Sequence, residues 1–75
     1  MDTRIEWAVA LMKDLDNPLV VEYPNEADAT IASSVFHMWD KPVVMKRDGA
    51  EWVTAKLHHP LTLAEAIESL RARRG

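Results

Sequence analysis

Apolar residues recur along this chain with two spacings, and each spacing predicts an element. Near the start, Ile5, Ala8, Val9, Met12 and Leu15 repeat at helical intervals, with Trp7 and Leu11 beside them and Glu6, Ala10 and Lys13 opposite. That pattern predicts an amphipathic first helix with a broad buried face. Thr3, followed three residues later by Glu6, supplies a capping box to start it. Pro18 ends it near Asp16, because the residue before a proline is driven out of the α region. "PLVVEY" then predicts a strand of about five residues between Pro18 and Pro24, with a β-branched pair at its centre.

Asn25 is a good N-cap for a second helix through "EADATIASSVFHMW". Ala27, Ile31, Val35 and Met38 stack along one side of it with Trp39 next to them, which marks that side as the core face; Thr30, Ser33 and His37 fall on the wet side. A final helix is announced by Thr62 and Glu65, a second capping box, ahead of Leu63, Ala66, Ile67 and Leu70 at helical spacing. Arg71, Arg73 and Arg74 crowd its last turn, where they complement the negative end of the helix dipole.

Between the last two helices, "KPVVMKRDGAEWVTAKL", Lys41 to Leu57, alternates with the period of a strand and turns at Asp48-Gly49. That dipeptide predicts a two-residue type I′ β-hairpin, with positive φ at both turn residues. The resulting register sets Arg47 opposite Ala50, Lys46 opposite Glu51, Met45 opposite Trp52, Val44 opposite Val53 and Val43 opposite Thr54. Val44, Val53, Ala55 and Leu57 then share a core face. The other face is also apolar: Val43, Met45 and Trp52 lie at its centre beside Thr54, with Lys41, Arg47 and Lys56 around the edge. Either a helix crosses over to make it a second core layer, or it is an exposed patch ringed by cations, which marks a binding site.

The expected order is α-β-α-β-β-α, a single small α+β domain over residues 1–75 with three helices against a short sheet. A chain of 75 residues, 48% apolar, has too little interior for a buried cofactor pocket, and no cofactor is expected. There is no cysteine, which removes disulfides and thiolate metal sites and fits a reducing, cytoplasmic setting. Trp7 to Met12 is too short an apolar run for a signal-peptide core, and acidic residues stand where a positive flank would be. No membrane association is expected.

Charge is divided unevenly. Residues 1–40 carry two bases against eight acids, net −6, whereas residues 41–75 carry seven bases against four acids, net +3. If the fold separates the halves, the asymmetry would steer charged partners or favour self-association as a homodimer; if it interleaves them, the charges form internal ion pairs.

Candidate chemistry adds little. Glycine occurs only at positions 49 and 75, so no phosphate-cradling loop can be built. Ser33, Ser34 and Ser69 lie in predicted helices without a nucleophile elbow or oxyanion site. His58 and His59 are adjacent, so on an extended segment their rings point apart, and His37 is the only other histidine. Neither catalysis nor metal binding is expected. The pattern points instead to a non-enzymatic module that binds a partner protein, an accessory subunit, regulator or small phage-type inhibitor, through Trp52, Met45, Val43, Lys41, Arg47 and Lys56. Tryptophan among cations also suits a stacked base with phosphate nearby, which makes nucleic acid or nucleoprotein the alternative partner.

Overall fold

The computed structural model describes residues 5–38, 41–49 and 51–74, with Arg74 by its backbone alone. Thr3, Trp39 and Ala50, which enter the expectations above, lie outside the described residues. The elements are β1 (Glu6–Leu11), β2 (Leu19–Tyr23), α1 (Glu26–Phe36), β3 (Pro42–Arg47), β4 (Val53–Thr54) and α2 (Leu63–Arg74). They form an α+β domain around one antiparallel sheet of strand order β2-β1-β3-β4.

The segment expected to be the first helix is the central strand of that sheet, so two helices are present among the described residues rather than three. The physical reason lies in its burial. Ala8, Val9 and Ala10 are all sealed from solvent, because β1 has β2 and β3 on its edges and a helix over each face. A strand buried on both faces loses its alternation and reads as an unbroken apolar run, through which a helical stripe can equally be drawn. After Leu11 the chain turns: the backbone amides of Asp16 and Asn17 donate to the Asp14 carboxylate and carbonyl, each at 3.1 Å, and Leu15 folds under as a plug.

The registers define two layers. Val9, Val21 and Val44 lie in one row on the α1 side, and Ala10, Val20 and Val43 in a row on the α2 side. The layers differ in how large and small residues are distributed. On the α1 side the sheet offers Trp7, Leu11 and Tyr23, and the helix answers with Ala29 and Ala32, with Phe36 packed at its far end. Large against small on the α1 side lets that helix approach the sheet closely. On the α2 side Ala10, Met12, Met45 and Trp52 meet Leu63, Ile67 and Leu70 around Ala66, so bulky residues come from both layers.

Both helix starts are as the sequence predicts. The Asn25 side chain accepts from the Asp28 amide at 2.8 Å, and the Thr62 and Glu65 side chains satisfy each other's amides at 3.2 and 2.9 Å. α1 ends at Phe36, earlier than expected, with His37 as its C-cap.

The hairpin turn is wider than the dipeptide suggests. Met45 pairs with Thr54 and Lys46 with Val53, a register two residues away from the predicted one, and the connection between the strands runs from Asp48 to Trp52. Gly49 takes φ +72°, but Asp48 does not share the positive φ that a type I′ turn demands of both residues. A shift of two residues preserves the faces, which is why Trp52 still lies with Met45 and Val43. No side chain crowds a Cβ added at Gly49, so the backbone alone sets the cost there. Gly49→Val is therefore expected to lower stability by about 1–2 kcal/mol, against a few tenths for Asp48→Ala, in urea titrations followed by circular dichroism.

Candidate functional site

The Trp52 face is a core layer covered by α2, not by the segment near the start of the chain. Met45 is fully buried, and Val43 and the half-buried Trp52 pack with it against Leu63, Ile67 and Leu70. Of the cations around that face, Arg47 is committed inside the domain. Its guanidinium carbon lies 4.4 Å from the centre of the Trp52 ring, and its Nη2 and Nε donate to the two Glu6 carboxylate oxygens at 2.7 and 3.1 Å. Glu22 stands 3.8 Å away on the same side. These hydrogen bonds hold the Glu6 carboxyl below its ordinary range and push the Arg47 guanidinium up. Lys56 is exposed and bridges to Glu26 at 3.2 Å. Lys41 is exposed just before β3, and its carbonyl accepts from the Met12 amide at 3.4 Å. The six residues therefore do not form one open surface: three lie beneath or beside α2, and the cations spread to different sides.

Ion pairing settles how charge is arranged. Every close pair among the described residues joins an acid of residues 1–40 to a base of residues 41–75: Glu6 and Glu22 with Arg47, Glu26 with Lys56, and Asp16 with Arg71. The halves are interleaved: among the described residues, four of the eight acids of residues 1–40 pair with three of the seven bases of residues 41–75.

A different surface is left open. Ala27, Ile31 and Val35, with Met38 in the turn beyond, fall within an arc of about 80° at 100° per residue. They are the face expected to be core, and it points outward instead: Ile31 is 63% exposed, Val35 51% and Met38 78%. α1 docks through Ala29, Ala32, Ser33 and Phe36, the opposite side. Both faces carry apolar residues at helical spacing, so periodicity alone does not choose between them. The available signal was size: Ala29, Ala32 and Ser33 allow close approach to a sheet face bearing Trp7, Leu11 and Tyr23, which Ile31 and Val35 do not.

A cleft of about 410 Å³ opens at the sheet edge between α1 and α2. β3 is six residues long but β4 only two, so Pro42 and Val43 have no strand beside them on that side. Past Thr54 the chain swings out and returns at Leu61, which closes the excursion by donating to Thr54 Oγ1 at 2.9 Å and accepting from the Thr54 amide at 2.8 Å. That excursion also holds His58 and His59. It bends rather than extends, bringing their rings edge to face at 4.9 Å instead of pointing them apart. No group of three or more potential ligands gathers around a common point among the described residues.

No protein-family model, curated protein or solved structure matches this chain. No helix among the described residues is long and apolar enough to cross a membrane.

Proposed function

We propose that this chain is a non-enzymatic interaction module that binds a partner protein, and that the partner seats on the outward face of α1. One observation carries the proposal: three sizeable apolar side chains, Ile31, Val35 and Met38, stand exposed in a single stripe while alanines do the docking on the other side of the same helix. A contiguous exposed apolar strip is the usual mark of a contact surface, and methionine adapts to varied partner shapes. Glu26 in the first turn is already bridged to Lys56, but exposed Asp28 also lies there and no base in the last turn, so the matching surface is apolar with a basic group towards the start of α1. Accessory subunit, regulator and small inhibitor are all roles of this kind. Nucleic acid draws less support, because the one cation over the Trp52 ring is already clamped by Glu6.

Replacing Ile31 and Val35 together with Ser is expected to leave the melting curve of the domain nearly unchanged and to abolish recovery of the partner from source cells, while Arg47→Gln retains it. Sedimentation of the purified chain tells a second copy from a different protein. Equal recovery by the Ile31/Val35 variant would overturn this assignment. Tight binding of a single-stranded oligonucleotide that weakens steeply with salt, and disappears when Lys41, Arg47 and Lys56 become Gln, would replace it with the nucleic-acid alternative.

A further inference from the structure

The cleft at the edge of β3 carries a site of its own, independent of the α1 stripe. Its walls are largely aliphatic, with Val43 on the strand, Leu57 and Leu61 on the excursion and Leu70 on α2. Among the described residues its charged lining is Lys56 and Arg73. Lys56 is already bridged to Glu26, whereas Arg73 makes no ion pair with any described carboxylate. Among the described residues, the cleft thus presents an apolar trough with one guanidinium, that of Arg73, outside every ion pair at its α2 side.

We propose that this cleft binds a small amphipathic carboxylate, an aliphatic chain with a single anionic head. The chain would lie along Val43, Leu61 and Leu70, and the carboxylate would take the paired N–H donors of Arg73. Three features favour this ligand over others. About 410 Å³ falls within the range of small-molecule clefts, roughly 300–1,000 Å³, and is small for a folded segment. An added peptide strand would need the backbone donors of β3, and Pro42 has no N–H to offer at the open edge. One guanidinium without a described carboxylate partner, beside a lysine already bridged to Glu26, matches a monoanion better than a doubly charged phosphate. The interior is expected from the sequence to be too small for a buried cofactor pocket; this space lies instead at the surface, where β4 stops short of β3.

Decanoate serves as the probe, with decanol and decyltrimethylammonium as head-group controls, and amide chemical shifts of the labelled full chain as the readout. Saturable shifts are expected at Val43, Leu57, Leu61 and Leu70, with decanoate binding at least about ten-fold more tightly than either control, a difference of roughly 1.4 kcal/mol. Arg73→Gln is expected to remove that preference while leaving decanol unaffected, and Leu57→Ser to weaken all three; both positions are exposed, so the fold should survive. Equal affinity for decanoate and decanol would overturn the proposal. So would shifts confined to Ile31, Val35 and Met38, or an Arg73→Gln variant that binds decanoate like the original chain.

Discussion

Met45→Ala is expected to lower the stability of the domain by about 2–5 kcal/mol, as truncation of a fully buried side chain does. Met45 occupies the centre of the α2-side layer, among Ala10, Met12, Leu15 and Ala66. Its removal leaves a void lined by side chains anchored on the central strand and by a helix held through its own apolar stripe. Neither can collapse freely into the gap. In a domain of this size each kcal/mol moves the melting temperature by about 4–8 °C, so a fall of about 10 °C or more should appear in a circular-dichroism melt. Met38→Ala is the control. Met38 is as large and as apolar but stands 78% exposed, so its truncation should change stability by no more than about 0.5 kcal/mol. Similar losses from the two would mean that the Trp52 face is not the covered one.

The second large effect separates the two faces of α1. Ala29 is fully buried against Val9 and Val44, and a longer polar side chain there must displace the helix from the sheet. Ala29→Gln is expected to cost about 2–4 kcal/mol, combining overpacking with burial of an unsatisfied amide. Ala27→Gln, two residues earlier and exposed, should stay within about 0.5 kcal/mol. Urea denaturation of both variants checks this. The order would reverse if α1 docked through Ala27, Ile31, Val35 and Met38, the face that its hydrophobic pattern first suggests.

Local signals along the chain were sufficient for the elements that depend on their immediate neighbours. Asn25 at the start of α1, the Thr62 and Glu65 box at the start of α2 and the β-branched run of β2 are legible because each involves residues a few positions apart, whose hydrogen bonds or steric preferences act within the segment itself. The assignment of side chains to the faces of β3 was legible for the same reason: alternation belongs to the strand, and a register shifted by two residues does not alter it.

Tertiary structure decided what depends on a partner distant in the chain. Glu6 to Leu11 is a strand because β2 and β3 satisfy its backbone from both sides while helices cover both of its faces, conditions that erase the periodicity by which a strand is recognised. The candidate contact surface was hidden for a related reason. α1 has apolar residues on two faces, and the choice between them was made by the bulk of Trp7, Leu11 and Tyr23 on the sheet, which admits the small face and leaves Ile31, Val35 and Met38 outside. The cleft beside β3 arises where β4 ends early, and among the described residues Arg73 there stays outside the ion pairs that join the two halves of the chain. Composition and spacing determine which residues can be buried or charged, but packing across the sheet determines which of them remain at the surface, because burial of one face is decided by the size and charge of whatever lies against it.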